Sequence, residues 1–67
     1  MMVLSERIKE LRKVKGITQK TLAQAINADI TIISKWELGK KRPVYEDLIK
    51  IAKYFNVPTD YLLGLEN

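Results

Sequence analysis

The sequence contains no cysteine and no histidine among its 67 residues. Disulfide bonds, thiolate metal sites and cysteine nucleophiles are therefore excluded, together with the commonest general base and the commonest zinc ligand. No apolar run approaches the roughly 18 residues that a membrane span needs, and the first residues lack the apolar core of a signal peptide. These absences predict a protein of a reducing, cytoplasmic compartment with no membrane partner.

Candidate catalytic residues are also lacking. Ser5 and Ser34 have no histidine to activate them. Glu46 and Asp47 form the only adjacent acidic pair, but neighbouring helix residues point about 100° apart and do not converge on one bond or metal. A chain this short also buries too small a core to enclose a deep pocket. We therefore expect no enzyme, no cofactor, no metal site and no small-molecule ligand.

Positive charge is concentrated in the first two thirds of the chain. The formal net charge is +4, and the isoelectric point is about 9.5, which is typical of nucleic-acid-binding domains. Residues 1–42 contain ten of the twelve Lys and Arg residues but only four of the eight acids. Residues 43–67 contain two bases and four acids. One end of the molecule is therefore expected to attract polyanions.

Glycine, asparagine and proline divide the chain into five short segments with helical periodicity. They predict a first helix that is capped by Ser5 or a neighbour and ends before Gly16, and a second from the N-cap Thr18 to near Asn27. They further predict a third helix from Ile30 to about Leu38 with Asp29 as its N-cap, a fourth from about Val44 to Tyr54 or Phe55, and a fifth from Pro58 to Gly64. Five helices with short connections predict a compact all-α bundle that forms one domain over residues 1–67.

The segment from residue 19 to 38, QKTLAQAINADITIISKWEL, has the pattern of two helices that meet at an angle. Ala23 leaves room for a close approach, and Asn27 tolerates the positive φ that the turn requires. Ile26 before the turn and Ile33 after it are spaced to meet in the core, with Leu22 beside them. This pattern is typical of a helix-turn-helix.

Three stretches, RIKELRKVKGITQKTLAQ, ISKWELGKKRP and LIKIAKYFNVPTDYLLG, make the chain resemble a known family. It resembles the helix-turn-helix domains of the Cro and phage-repressor type, the XRE family, over nearly its whole length. The residues in register are Gln19, Ala23, Ile33, Trp36, Glu37, Gly39, Lys40 and the closing Tyr61–Gly64. The resemblance implies a lambda-repressor-like five-helix bundle. It also implies a sequence-specific transcriptional regulator, a small bacterial or phage repressor that binds an inverted-repeat operator in double-stranded DNA as a dimer.

The resemblance assigns roles to residues at matching positions. The third helix would enter the major groove by its N-terminal turn. The implied base-contacting residues are Ile30, Thr31 and Lys35, with Ile32 and Ser34 flanking them. The implied phosphate-contacting residues are Gln19, Lys40, Lys41 and Arg42, with a secondary contact from the indole N–H of Trp36, whose main role is structural.

Residue chemistry leaves a second interpretation open. Lys35 can donate to guanine O6 or N7, and Thr31 can form a hydrogen bond or contact a thymine methyl group. Ile30 departs from the polar residue usual in this family and can only make apolar contacts. It either lies on the DNA-facing turn or packs inside the fold or against a protein. The alternative function is therefore an antitoxin or adaptor module whose helical surface binds a protein partner.

Two further expectations concern contacts away from the bases. Glu37 is expected to form a structural ion pair with a nearby base such as Arg12, because phosphates repel a carboxylate. Apolar residues are concentrated at the acidic C-terminal end, where a weak homodimer would form. The predicted interface residues are Tyr54, Val57, Tyr61 and Leu65.

Overall fold

The computed structural model describes residues 3–65, and it confirms an all-α bundle of five helices in that range. The helices are α1 (Val3–Lys15), α2 (Gln19–Ala25), α3 (Ile30–Glu37), α4 (Tyr45–Phe55) and α5 (Thr59–Leu63). Helix α3 packs on both α1 and α2, whereas α5 packs on both α1 and α4. None of these helices is long and apolar enough to cross a membrane.

Helix α1 begins earlier than the sequence predicts. It already includes Val3, so Ser5 lies within its first turn and is buried. Ser5 is therefore not the cap of this helix, since an N-cap residue lies outside the helical segment, and the alternative of a neighbour that precedes Val3 lies outside the described residues. The other end is as predicted: Gly16 adopts a left-handed conformation with φ 75° and ends the helix.

The helix-turn-helix is formed by α2, α3 and the turn between them. Thr18 caps α2 by accepting a hydrogen bond from the Thr21 N–H, and Asp29 caps α3, both as predicted. Asn27 has φ 56°, which confirms that the turn requires a left-handed residue. The Ala28 N–H then donates to the Ala23 carbonyl at 2.8 Å and ties the turn back to α2. The angle between the two helices is thus set by local hydrogen bonds.

One core connects all five helices. Its buried apolar members are Ile8, Leu22, Ala23, Ile26, Ile33, Trp36, Ile51, Ala52 and Leu62. The predicted core residues of the helix-turn-helix are all among them. Asn56 has a left-handed conformation at the end of α4, with φ 56°, a feature that the sequence analysis missed. The core holds α3 so that its first turn remains at the surface.

Candidate nucleic-acid interface

Helix α3 has one buried face and one exposed face. Ile33 and Trp36 lie in the core at 0% and 2% exposure, whereas Thr31 and Lys35 are exposed. Residues four apart are neighbours on a helix surface, so Thr31 and Lys35 share one face. The exposed face therefore presents a hydroxyl and, one turn further on, a single cation.

Ile30 is 45% exposed at the start of this face. The alternative in which it packs inside the fold is therefore excluded, and its side chain is available to another molecule. Ile32 and Ser34 are only half-buried, and Ile32 packs against the core. Of the three apolar residues in Ile30–Ile33, only Ile30 is largely accessible, so the excess of apolar residues in this turn is divided between core and surface.

Asp29 makes two hydrogen bonds with one residue of the exposed face. Its Oδ1 atom accepts from the Thr31 backbone N–H at 2.9 Å and from the Thr31 hydroxyl at 2.7 Å. These bonds, the backbone one first, hold the pKa of the Asp29 carboxyl below its ordinary value. The carboxylate therefore stays ionised at neutral pH and orients the Thr31 side chain.

The basic loop, residues 40–42, follows the end of α3. Lys40, Lys41 and Arg42 are all exposed. The backbone N–H groups of Lys40 and Lys41 donate to the Lys35 carbonyl at 2.9 and 3.3 Å. The backbone of the loop is therefore fastened to the last turn of α3.

A polar network joins α1, α2 and α3 beneath this surface. Arg12 binds Glu37 with two hydrogen bonds, from Nε to Oε2 at 2.6 Å and from Nη2 to Oε1 at 3.0 Å. The side chains of Arg12 and Glu37 are 14% and 4% exposed. The predicted ion pair of Glu37 with Arg12 is thus confirmed. Arg12 also donates to the Ile17 carbonyl at 3.0 Å, which adds the α1–α2 connection to the network.

Gln19 is the first residue of α2, as predicted, and it joins the same network. Its Nε2 atom donates to Glu37 Oε1 at 3.1 Å. An amide nitrogen carries two hydrogens, so one N–H of Gln19 is held by Glu37 and a second remains for another acceptor. Sequence reasoning missed this contact, because the two positions are 18 residues apart and no local pattern links them.

Opposing effects set the pKa of Glu37. Burial is the largest and raises the pKa, since it disfavours a charged carboxylate. Hydrogen bonds from Arg12 and Gln19, with the positive charges of Arg12 and Lys9, together outweigh burial and leave the pKa below its ordinary value. Glu37 is therefore a charged residue whose carboxylate is hydrogen-bonded within the fold.

The residues predicted for a dimer interface are unequally exposed. Tyr54, Val57 and Tyr61 are half-buried and pack against the core, whereas Leu65 is 73% exposed. The guanidinium of Arg7 lies 4.2 Å from the centre of the Tyr61 ring. Most of the accessible apolar surface of this set therefore belongs to Leu65.

A second group of exposed apolar residues flanks the basic loop. Leu38, Val44 and Tyr45 are 64%, 57% and 74% exposed. Leu38 is the C-cap of α3 and Val44 is the N-cap of α4. Each therefore lies at the end of its helix, where no further helical turn covers its side chain. The sequence analysis missed this group. Its only signal is the position of these residues at helix ends on either side of the loop.

Comparison with a protein-family model gives a match over residues 5–67, and that model describes a helix-turn-helix domain. The transcriptional activator BcrR of Enterococcus faecalis is 43% identical over 65 residues, which cover 97% of this chain and 32% of that protein. The transcriptional regulator ImmR of Bacillus subtilis is 40% identical over 63 residues, 94% of this chain and 50% of that protein. The chain thus spans half or less of the length of these relatives.

A solved structure of similar shape is that of the P22 c2 repressor protein in complex with a synthetic operator. The two chains superpose with a TM-score of 0.91 at 30% sequence identity. The match covers 98% of this chain and 100% of the repressor chain. The whole of this bundle, and not the helix-turn-helix alone, therefore has the shape of a repressor domain.

Proposed function

The chain belongs to the helix-turn-helix domain family, and from that membership we propose that it is a transcriptional regulator that binds double-stranded DNA sequence-specifically. One observation carries the proposal. The first turn of α3 and Lys35 are exposed, and the basic loop, residues 40–42, is bonded to the Lys35 carbonyl at the other end of that helix, on a bundle that superposes on an operator-bound repressor. The side chains of the exposed turn and Lys35 can contact base edges, whereas the cations of the basic loop can contact phosphates. A regulator of this kind acts in the cytoplasm and needs no catalytic residue.

The base-contacting role falls to the exposed face of α3. Ile30, Thr31 and Lys35 would contact base edges in the major groove, with the half-buried Ile32 and Ser34 beside them. Lys35 is the cation of this set and can donate to guanine. Ile30 would pack on a thymine methyl group, which its 45% exposure permits.

The phosphate-contacting role falls to residues on both sides of α3. Lys40, Lys41 and Arg42 would bind one stretch of backbone, and Gln19 would bind another through the N–H that Glu37 leaves available. The indole N–H of Trp36 is the remaining predicted contact, although the residue is 2% exposed and mainly structural. These contacts would position the protein without reading sequence.

We further propose that the chain binds an inverted repeat as a weak homodimer through its C-terminal region. Two recognition helices related by a twofold axis lie about 34 Å apart when they enter adjacent major grooves on one face of the duplex. The proposed interface comprises Tyr54, Val57, Tyr61 and Leu65, of which Leu65 is the most exposed.

The test is selection of bound duplexes from a random DNA pool at about 150 mM salt, where non-specific contacts are strongly weakened. Enrichment of an inverted repeat, with half-sites about one helical turn apart, is the expected result. A folded protein that enriches no sequence would contradict the proposal. The exposed Ile30 would then favour the antitoxin or adaptor function, for which binding to a protein should survive high salt and show a negative heat-capacity change.

A further inference from the structure

A groove lies between the C-terminal end of α2 and the second half of α4, and we call it the α2–α4 groove. Its volume is about 440 Å³, and the residues that line it are Ala25, Ile26, Asn27, Lys50, Lys53 and Tyr54. Four of these six residues are exposed, whereas Ile26 is buried and Tyr54 is half-buried. Small-molecule pockets bury most of the surface of their ligand. This open groove is therefore better suited to a few side chains of a larger partner.

Three lysines concentrate positive charge at this groove. Lys50 and Lys53 are three residues apart on α4 and therefore share one face of that helix. They are also the two bases of residues 43–67. The ammonium group of Lys15, the last residue of α1, lies 5.2 Å from the centre of the Tyr54 ring. None of the three lysines forms an ion pair within the described part of the chain. Their charges are thus available to an anionic partner.

Apolar surface lies beside these cations. The methyl group of Ala25 and the ring of Tyr54 contribute it, with the buried Ile26 beneath. The Tyr54 ring packs edge-on against Phe55, with ring centres 5.0 Å apart, and is held in place by that contact. The exposed Asn27 adds an amide that can hydrogen-bond to a peptide backbone. Phosphate groups offer no counterpart to the apolar part of the groove, whereas a peptide with acidic and aliphatic side chains matches both parts.

We propose that the α2–α4 groove binds an acidic segment of a partner protein. Carboxylates of the segment pair with the three lysines, and an aliphatic side chain packs against Ala25 and the Tyr54 ring. No residue proposed to contact DNA lines the groove, so DNA and this partner do not compete for the same side chains. The inference therefore goes beyond the proposed function and does not depend on it. Of the residues proposed for the homodimer interface, only Tyr54 lines the groove.

The experiment measures the binding of a labelled synthetic peptide, in which pairs of glutamates alternate with single leucines, by fluorescence anisotropy. The parent chain should bind this peptide more tightly than a control peptide with glutamine in place of every glutamate. Added salt should weaken the binding, because the lysines are exposed and their charges are screened. In NMR spectra, the peptide should shift the backbone amides of residues 25–27 and 50–54. Random-sequence duplex DNA should instead shift α3 and residues 40–42.

A first pair of variants tests the charges of the groove. The double variant with Lys50→Gln and Lys53→Gln should bind the acidic peptide at least about fivefold more weakly, since it loses two exposed ion pairs. Its matched control combines Lys9→Gln with Lys13→Gln, which removes two exposed lysines from one face of α1. The control should change the affinity by less than about twofold, because charges far from the bound peptide are screened.

A second pair of variants tests the position of the site. Ala25→Glu places a carboxylate among the lysines of the groove and should weaken peptide binding as strongly as the loss of both lysines. Gln24→Glu adds the same charge at the preceding exposed residue of α2, which does not line the groove, and should leave binding nearly unchanged. Circular dichroism of every variant establishes that the helices are formed.

Several outcomes would overturn the inference while the DNA-binding proposal stands. One is that the parent binds neither peptide, or binds both equally. Another is that the variant without Lys50 and Lys53 binds the acidic peptide as the parent does, or that the peptide shifts residues 40–42 in place of the groove. If duplex DNA shifts the amides of the groove, the lysines are DNA contacts. If the parent self-associates and this double variant does not, the groove binds a second copy of the chain.

Discussion

Glu37 is the residue at which three helices meet through polar contacts. Arg12 of α1 and Gln19 of α2 both donate to its carboxylate, and its side chain is 4% exposed. A buried charge is tolerated only when its partners are in place, because desolvation otherwise disfavours it strongly. Glu37 is thus the residue through which α1 and α2 hold the C-terminal end of α3.

Substitution Glu37→Ala should lower the free energy of unfolding by about 3 kcal/mol, the lower end of the range for a buried pair, since it leaves the partly buried guanidinium of Arg12 without its carboxylate. That is a large share of the stability of a small domain. Urea unfolding followed by circular dichroism measures the change. Glu10→Ala, at an exposed position of α1, is the matched control and should change stability by less than about 0.5 kcal/mol. A Glu37→Ala effect as small as that of the control would contradict the prediction.

The same ion pair predicts a loss of stability in acid. The pKa of Glu37 is lower in the folded protein than its ordinary value of 4.5, so the folded state binds fewer protons. Its contribution is therefore complete above pH 4.5 and is lost as the pH falls through the folded pKa. Thermal unfolding of the parent and of Glu37→Gln between pH 7 and pH 3 should show a stability difference that shrinks below pH 4.5. A difference that stays constant over this range would refute the assignment.

At the scale of elements, the angle between α2 and α3 depends on one left-handed residue. Asn27 has φ 56°, and the residue after it donates back to Ala23. Asparagine tolerates this conformation better than other residues with a side chain, and glycine tolerates it best. The orientation of α3 is therefore sensitive to the residue at this position.

Asn27→Ala should destabilise the domain by about 1 kcal/mol, whereas Asn27→Gly should leave stability equal or slightly higher. Urea unfolding measures both. Asn56, which has the same φ at the end of α4, provides a second pair of variants with the same expected order but no effect on the position of α3. If Asn27→Ala were more stable than Asn27→Gly, a side chain at this position would not strain the turn.

Helix α3 and the basic loop are expected to differ in their effects on DNA binding. Lys35→Ala should relax the preference at one base position. Lys41→Ala should instead weaken binding to all sequences alike and reduce the slope of log affinity against log salt by about one unit, because one phosphate contact is lost. Titrations of operator and non-operator duplexes at several salt concentrations distinguish the two effects. Equal salt slopes for the parent and Lys41→Ala would contradict the phosphate contact.

At the scale of the whole molecule, bases and acids are unequally divided along the chain. Residues 1–42 have an excess of bases, and residues 43–67 have an excess of acids. The exposed Leu65 lies in the acidic part, while Lys35 and the basic loop lie in the other. The proposed homodimer would use the exposed Leu65 in the acidic part, whereas the proposed DNA contacts come from residues in the basic part.

Leu65→Gln should therefore weaken binding to a full inverted repeat while leaving binding to a single half-site unchanged within about twofold. Sedimentation of the protein with each duplex reports both stoichiometry and affinity. Val14→Gln is the matched control, since Val14 is 81% exposed on α1 and lies outside the proposed interface. The same affinity for the full repeat in Leu65→Gln and in the parent would place the interface elsewhere.

The sequence alone determined the five helices, the caps Thr18 and Asp29, and the left-handed Asn27. All of these depend on interactions within a few residues along the chain, and such interactions follow residue type and spacing. The sequence also predicted the pairing of Glu37 with Arg12, because a carboxylate near a surface expected to bind phosphates needs a cation.

The tertiary structure alone decided which side chains remain available. It placed Ser5 inside α1, and it left Ile30 exposed but Ile32 half-buried. It also brought the side chain of Gln19 within hydrogen-bonding distance of Glu37. Leu38 and Tyr45 remained exposed on either side of the basic loop. Periodicity tells which residues share a face of one helix, but not which neighbouring helix covers that face or which donor is already engaged. Those outcomes depend on how five short helices pack together, and packing joins residues that are distant in the chain.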